Sequence, residues 1–301
     1  MQGPTAVGKT ELALNIAQKF DLDIISADSR QIYKKLNIGT AKPSIKILKE
    51  FKHHFINIID PKEKYDAGRF RDEATKIIDK LHLENRFAIV VGGTGFYIKS
   101  LFKNLFEINK ITKDTKNKVQ HILSEKGYQY IFDILKEKDP KSCDRVHYND
   151  KHRILRAFEV LFQTNIPISE HWQNQTDNDS YRNFDILLTR DRNELYQRIN
   201  TRVDKMMNDG LIQEIDFLLK NGYSFEDAGF NTVGYKEFAD YFQKKNNLEF
   251  CVDKVKQHSR NYAKRQLTWY RKMKFNIAIP SEKNMLLNVE SKIENFLNRE
   301  D

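Results

Sequence analysis

The stretch "QGPTAVGKTE", residues 2–11, decides the fold of this chain. It contains the complete pattern G-x-x-x-x-G-K-[ST] in Gly3, Gly8, Lys9 and Thr10. In loops of this kind the main-chain N–H groups converge on phosphate oxygens, the lysine reaches the outer phosphates, and the hydroxyl ligates Mg²⁺. The pattern therefore predicts a phosphate-binding loop, and a glycine-flanked turn without function is the weaker interpretation.

The flanks of the loop fit this prediction on one side only. Apolar residues recur at helical spacing after the loop, at Leu12, Ala13, Ile16, Ala17 and Phe20. They predict a helix whose N-terminal amides point at the bound anion. Only Met1 and Gln2 precede Gly3, so the apolar strand that normally carries such a loop is expected to be absent.

Composition narrows the class of protein. The 301 residues carry 51 Lys and Arg against 42 Asp and Glu, a net charge of +9 that favours an anionic partner. Cys143 and Cys251 stand far apart, so neither a disulfide framework nor a cysteine metal site is expected, and a reducing cytoplasm fits. The longest apolar run, at 87–98, is too short to span a bilayer. We expect a cytoplasmic monomer that does not bind membranes.

The first hundred residues read as alternating strands and helices. The segments "LDIISA" (22–27) and "RFAIVVGG" (86–93) are short apolar runs of the kind that form buried strands. The helix between them is marked by Phe70, Ala74, Ile77, Ile78 and Leu81. Strands without polar alternation require cover on both faces, which predicts a doubly wound parallel sheet and an α/β, P-loop NTPase-like core.

Residues 111–183 break this pattern. They contain charged, helix-like stretches without buried strands and end in the polar run "NQTDNDSY" at 174–181. We interpret 111–183 as a helical insertion domain within a core formed by 1–110 and 184–301. The core resumes with a strand at 184–189, a helix after Asp191 with Leu195, Ile199 and Val203 inward, a shorter helix closing at 221–222, a long basic helix at 251–273 and a last strand at 275–280.

The chemistry is expected beside the phosphate loop. Ligands of open parallel sheets bind beyond the carboxyl ends of the strands, and Asp28 follows such an end. A turn or helix-cap aspartate is the alternative. The loop 28–43 is long and polar, which favours a carboxylate at the reacting centre. Thr94 should face the cleft beside the phosphate loop. Arg198 and Arg202 share a helix face that a diphosphate could use, and solvated arginines are the alternative.

Two basic helices accompany the net charge. One carries Lys151, His152, Arg153 and Arg156, with Ile154, Phe158, Leu161 and Phe162 packed inward. The other, at 262–274, mixes five cations with Tyr262, Trp269 and Tyr270. Cations with aromatic rings suit phosphate contact and base stacking, although solvated charges over core aromatics would look similar. We interpret both helices as surfaces for nucleic acid.

Seven motifs occur in one order across nearly the whole chain: "GPTAVGKT", "DSRQIYKKLNIGTAKP", "VVGGTGFYIK", "NDKHRILRAFEV", "RINTRV", "VGYKEF" and "AKRQLTWYRK". In their sequences and their order, these motifs resemble those of the tRNA dimethylallyltransferase (isopentenyltransferase) family. The resemblance implies transfer of a dimethylallyl group from dimethylallyl diphosphate to N6 of the adenosine just 3′ of the anticodon, in tRNAs that read codons beginning with U. It also implies Mg²⁺ as cofactor and the tRNA anticodon stem-loop as partner, held by the insertion and the basic helix at 262–274.

The same resemblance implies roles for individual residues. Asp28 would be the general base, and Thr5 and Arg202 would assist at the diphosphate. The diphosphate would lie on Gly3, Pro4, Thr5, Ala6, Val7, Gly8, Lys9 and Thr10, with Thr10 near the metal. The tRNA would contact Asp28, Ser29, Arg30, Gln31, Thr94, Lys116, His152, Arg153, Ile154, Leu155, Arg156, Asn231, Gly234, Tyr235, Lys236, Lys264, Arg265 and Gln266.

Three other functions stay open at this point. An adenylate isopentenyltransferase would use the same core on a free nucleotide, but the insertion and the basic helix argue against it. A small-molecule kinase is favoured by the phosphate loop alone, yet the strand before Gly92 ends without a metal-binding aspartate. A non-catalytic RNA-binding protein on the same fold would fit the expected absence of the first strand.

Overall fold

The computed structural model describes residues 1–102, 111–173, 181–281, 285–287 and 289–298. The chain divides into two compact units, the core unit (Met1–Leu101 with Arg182–Asp301) and the insertion unit (Phe102–Tyr181). Most of the polar run expected to close the insertion, 174–180, lies outside the described residues. In the described part of the chain, no helix combines the length and apolar character needed to cross a bilayer.

The elements follow the chain in this order. The helices are α1 (Lys9–Phe20), α2 (Ile45–Glu50), α3 (Ala67–Leu83), α4 (Gly95–Phe102), α5 (Lys113–Lys138), α6 (Pro140–Arg145), α7 (Lys151–Thr164), α8 (Ile168–Gln173), α9 (Arg192–Asn208), α10 (Leu211–Lys220), α11 (Ala239–Phe242), α12 (Leu248–Tyr270) and α13 (Glu290–Leu297). The strands are β1 (Asp23–Ser26), β2 (His53–His54), β3 (Ala88–Val91), β4 (Ile186–Thr189) and β5 (Ile277–Pro280).

The core unit is built on parallel strands, as predicted. Strand β1 pairs in parallel with β2 and β3, and β4 pairs in parallel with β5. All four residues of β1 are buried, as expected for a strand covered on both faces. Helix α1 buries Leu12, Ala13, Ile16 and Ala17 in the same hydrophobic core. The prediction of an α/β core with a parallel sheet is confirmed.

No strand element precedes the phosphate loop in the described residues, but Gln2 pairs with the sheet as a single bridge residue. Gln2 forms parallel bridges to both Gly92 and Leu187, and so lies between β3 and β4. Its N–H donates to the Ile186 carbonyl at 2.8 Å, and its own carbonyl accepts from the N–H of Leu188 at 2.9 Å. Two residues suffice because each main-chain group finds a partner on a neighbouring strand. The phosphate loop therefore leaves from the middle of the sheet.

A buried carboxylate fixes the start of β1. Asp23 is 1% exposed and contacts His54, Lys52 and Arg86, which come from β2, its preceding turn and the approach to β3. Burial by itself would raise the pKa of Asp23, but hydrogen bonds from His54 and Lys52 and the charge of Arg86 bring the pKa below its usual value. This cluster ties the three paired strands together at the end opposite to the phosphate loop.

Asp23→Asn is expected to lower the free energy of unfolding by about 2 kcal/mol at pH 7, because it leaves cations facing a neutral group while those cations keep partial access to water. The pKa of Asp23 is lower in the folded than in the unfolded chain, so its stabilisation is present above pH of about 4 and lost as pH falls through the folded pKa. Urea unfolding of both proteins at pH 7 and pH 3 measures this. If the difference in unfolding free energy between wild type and Asp23→Asn were the same at both pH values, this pH dependence would be contradicted.

The insertion unit is helical throughout its described residues. Its core is formed by α5 and α7, with Ile131, Leu135, Ile154 and Phe158 buried. Helix α5 is broken at Gly127, whose φ of 80° and ψ of 171° are not helical. The inward position expected for Phe162 is wrong, since 45% of it is exposed. Ala157 and Val160 are buried instead, and they place the buried face of α7 away from Phe162.

Candidate active site

The phosphate loop joins Gln2 to α1 and has the conformation of an anion site. Gly8 precedes the helix at φ 115°, a left-handed angle that a glycine adopts without strain. No side chain caps the helix there, so the amides of its first turn are available to an anion. Gly3 and Pro4, which were expected at the diphosphate, are buried and do not line the cavity beside the loop.

Lys9 lies folded against its own loop. Its Nζ donates to the carbonyls of Gly3 and Pro4, each at 2.8 Å. Burial lowers the pKa of Lys9 to about 7, with the Asp28 charge opposing this and Arg202 adding to it. A diphosphate would bring negative charge next to this amine and favour its protonated form. The carbonyls of Gly3 and Pro4 hold Nζ against the phosphate loop.

The tip of the loop is supported from the carboxyl ends of β4 and β5. The Ser281 hydroxyl donates to the Val7 carbonyl, and Arg190 Nη2 donates to Ser281 Oγ at 2.8 Å. A Cβ at position 8 would lie 2.8 Å from Ser281 Oγ. The loop is therefore packed so closely on Ser281 that its shape is fixed before any ligand binds.

Asp28 lies just after β1 and faces the phosphate loop across a cavity. Its Oδ1 accepts hydrogen bonds from the N–H groups of Arg30 at 2.8 Å and Gln31 at 3.4 Å. This is the turn role that the sequence left as an alternative. Among the described residues Oδ2 has no hydrogen-bond partner, so one oxygen holds the turn while the other is available to a ligand.

The turn after β3 packs against the turn after β1. The N–H of Thr94 donates to the Ala27 carbonyl at 3.2 Å, and Thr94 Oγ1 accepts from the N–H of Ser29 at 3.1 Å. Thr94 therefore holds the main chain beside Asp28. Tyr262 of α12 approaches the same place, and burial first, then the Asp28 charge, raise its pKa to about 12, against a hydrogen bond with Thr94.

Helix α9 presents a polar face to the phosphate loop. Arg198 Nε donates to the Ala6 carbonyl at 2.9 Å. Burial lowers the pKa of Arg202, and the Asp28 charge opposes this. Gln197, Thr201 and Lys205 line the same cavity. None of these three was predicted from the sequence, although their spacing of four residues, opposite the buried Leu195, Ile199 and Val203, is a readable signal.

Two cavities of the core unit meet at Asp28. The larger, about 700 Å³, lies against the phosphate loop and is lined by Thr5 to Glu11 and the polar face of α9. The smaller, about 260 Å³, has an apolar wall that includes Ile199, Val203, Met206 and Val255. The residues common to both cavities are Thr5, Asp28, Arg202 and Tyr262. The three residues expected to be catalytic thus lie together where the cavities join.

Apart from Asp28, Thr94 and Gln266, the residues expected to contact tRNA fall into three groups. Ser29, Arg30, Asn231, Gly234, Lys236 and Arg265 line the smaller cavity, and Gln31 lines the larger one. Lys264 and Arg265 are exposed on α12, and Lys116, His152 and Arg153 are exposed on the insertion unit, where Leu155 and Arg156 are half-buried. The third group, Ile154 and Tyr235, cannot offer side chains to tRNA.

The side chains of Ile154 and Tyr235 are completely buried, so only their main chains could meet tRNA, and a contact there stays a prediction. Ile154 belongs to the core of the insertion unit. The Tyr235 hydroxyl accepts from the N–H of Gly39 at 3.1 Å and donates to Glu214. The base-stacking role expected for Tyr270 is wrong because its ring is buried. Tyr270 is 4% exposed, and its hydroxyl donates to the Gly3 carbonyl at 3.1 Å.

The oxygen ligands at the phosphate loop suit Mg²⁺. Thr10 is exposed in the first turn of α1, and its side chain borders the cavity that Asp28 lines. Mg²⁺ binds through one or two protein oxygens plus phosphate oxygens and waters, and needs no cage of several carboxylates. Among the described residues no cluster of three or more His, Cys, Asp or Glu is suited to a metal. The residues present therefore fit a magnesium ion that arrives with a diphosphate.

Comparisons with known proteins agree with this geometry. The IPP transferase family model matches residues 31–273. The tRNA dimethylallyltransferase of Acetivibrio thermocellus is 41% identical over 273 residues, which cover 90% of this chain and 87% of the relative. The crystal structure of tRNA delta(2)-isopentenylpyrophosphate transferase from Staphylococcus epidermidis has a TM-score of 0.70 at 34% identity and covers 98% of this chain and 97% of its own.

A further solved structure is that of a eukaryotic dimethylallyltransferase acting on tRNA. It has a TM-score of 0.86 at 28% identity and covers 99% of this chain and 79% of its own. A parallel sheet with a phosphate loop, a carboxylate opposite that loop, and matches over nearly the whole chain lead to one conclusion: this chain belongs to the IPP transferase family.

Proposed function

We propose that this protein transfers a dimethylallyl group from dimethylallyl diphosphate to N6 of the adenosine just 3′ of the anticodon in tRNA, with Mg²⁺ as cofactor. The observation that carries the proposal is the position of Asp28, which lines both a phosphate-loop cavity and a second, partly apolar cavity and whose Oδ2 has no hydrogen-bond partner among the described residues. A carboxylate at this junction can meet both a diphosphate donor and a base.

The larger cavity is the donor site. The bond that breaks joins an allylic carbon to a diphosphate oxygen, so the protein has to stabilise negative charge on the departing diphosphate. The amides at the start of α1, Lys9 and Arg202 are placed to do so. This explains a phosphate loop in an enzyme that transfers no phosphoryl group. Mg²⁺, held by Thr10 and the diphosphate, would supply further positive charge to the leaving group.

The smaller cavity is the acceptor site. The exocyclic amine of adenine is a weak nucleophile and far too weak an acid for a carboxylate to deprotonate it in advance. Asp28 Oδ2 takes the proton as the C–N bond forms and the C–O bond breaks, so its position matters more than its basicity. The N–H groups of Arg30 and Gln31 and the turn at Thr94 keep the carboxylate in place.

The acceptor base has to leave its stack to reach Asp28. Unstacking costs a few kcal/mol and least in a loop that is already single-stranded, which favours an anticodon loop over a duplex. Exposed cations that border the smaller cavity, Arg265 and Lys236, can offset this by contacts to phosphates. They recognise the backbone of the RNA more than its sequence.

Incubation with labelled dimethylallyl diphosphate, Mg²⁺ and bulk tRNA tests the proposal. Label is expected in the tRNA as N6-(dimethylallyl)adenosine after nuclease digestion. Parallel incubations offer AMP as acceptor, or γ-labelled ATP with no prenyl donor. Label in AMP but not in tRNA would identify an adenylate isopentenyltransferase, and transfer of the γ-phosphate would identify a kinase. Tight binding of tRNA with no product in any incubation would indicate an RNA-binding protein.

Replacing Lys264 and Arg265 together by Gln should weaken tRNA binding and leave the affinity for dimethylallyl diphosphate unchanged, because both side chains are exposed on α12. The slope of log K against log salt should fall by about one unit for each lost phosphate contact. Filter binding between low and moderate salt measures the slope. Lys76→Gln, which removes an exposed charge from α3, is the matched control. A double variant with the wild-type slope would show that Lys264 and Arg265 do not contact tRNA phosphates.

A further inference from the structure

The Gln266 side chain bridges two loops of the active site. It is 6% exposed, on the inward face of α12. Its Oε1 accepts from the N–H of Thr5 at 2.8 Å, and its Nε2 donates to the carbonyl of Gly93 at 2.7 Å. Because a main-chain N–H can only donate and a carbonyl can only accept, these partners fix the orientation of the amide. One side chain thus joins the phosphate loop to the turn after β3.

Glycine at position 93 leaves room for the Gln266 amide, which would have to move if a Cβ were present. A Cβ there would lie 2.5 Å from Gln266 Nε2. One turn further along α12, the Tyr270 hydroxyl donates to the carbonyl of Gly3, on the same loop as Thr5. The inward face of α12 therefore holds the phosphate loop at two points, while Lys264 and Arg265 on the same helix are exposed.

We infer that Gln266 is a positioning residue of the diphosphate site and makes no contact with tRNA. This inference rests on the proposed function and departs from the role that the resemblance implied for Gln266. Thr5 lies where the two cavities join, next to Asp28 and Arg202. Fixing the Thr5 main chain fixes the edge of the phosphate loop nearest to the reacting carbon, and small displacements there are costly for transfer.

The test compares Gln266→Met with the wild-type protein. Methionine has the length of glutamine and a similar volume but makes neither hydrogen bond. Affinity for inorganic pyrophosphate with Mg²⁺, measured by calorimetry, is expected to fall about tenfold, on the scale of one lost buried hydrogen bond. The KM for dimethylallyl diphosphate should rise with it, and the Kd for tRNA should stay within twofold of wild type.

Thr268→Ala is the matched control, since Thr268 is an exposed residue of α12 whose hydroxyl donates to the Lys264 carbonyl of the same helix. Thermal melts of all three proteins verify folding. Weaker tRNA binding with wild-type pyrophosphate affinity, or no change in either, would overturn the inference. A general loss of stability with unchanged affinities in the folded variant would overturn it too. Wild-type protein that binds no pyrophosphate would refute the proposed donor site itself, which is a different failure.

Discussion

Asp28→Asn is expected to slow prenyl transfer by about 10²- to 10⁴-fold, the range for loss of a general base. This variant tests the general base more specifically than Asp28→Ala does. Asn can still accept hydrogen bonds from the N–H groups of Arg30 and Gln31 through Oδ1, so the turn after β1 is kept. Only the proton acceptor at Oδ2 is lost. Single-turnover rates at saturating tRNA and dimethylallyl diphosphate measure the chemical step.

The affinities of Asp28→Asn for both substrates decide what its slow rate means. Both Kd values should stay near wild type, because the carboxylate acts in the chemical step. Asp28→Ala serves as the comparison, and it should lose some affinity as well, since it releases the N–H groups of Arg30 and Gln31. Equal losses of rate and tRNA affinity in the Asn variant would rule out the general-base role.

Lys9→Met should lower the single-turnover rate by about 10²- to 10³-fold, the loss seen when one donor to a developing anion is removed. The amine lies beside the phosphate loop and can follow the charge that develops on the leaving diphosphate. Affinity for tRNA should not change. The measurement is the same rapid-quench assay at saturating dimethylallyl diphosphate.

Lys19→Met controls for the loss of a lysine from the same helix. Lys19 is exposed at the end of α1, where it pairs with Glu290, and a surface pair of this kind contributes little to stability. It should transfer the prenyl group at the wild-type rate. A Lys9→Met protein that binds dimethylallyl diphosphate weakly but transfers it normally once saturated would show that Lys9 serves binding alone.

Much of the active site could be predicted because its signals are local in sequence. The phosphate loop is set by eight consecutive residues, and α1 by the apolar spacing directly after it. Asp28 could be placed because strands in parallel sheets bring their carboxyl ends to one edge. Such inferences need only the position of a residue along one element, and the structure brings those residues together.

The supports of the site could not be predicted in this way. Gln266 meets Thr5 across 261 positions, and Ser281 meets Val7 across 274. Such pairs depend on how whole elements pack, and no spacing rule connects them. The same limit explains Tyr235, which looks like a surface residue in the polar motif "VGYKEF" but donates to Glu214 in the interior. It also explains Gln2, whose place between β3 and β4 depends on neighbours more than 80 residues away.

The packing of helix α12 implies thermodynamic linkage between the binding of RNA and the binding of pyrophosphate. Its exposed cations face solvent and its inward side chains hold the phosphate loop, so a helix that shifts under a bound polyanion carries the loop with it. Any factor by which RNA occupancy changes the affinity for pyrophosphate must then equal the factor by which pyrophosphate changes the affinity for RNA. A closed binding cycle of four dissociation constants would express that cooperativity as a single number.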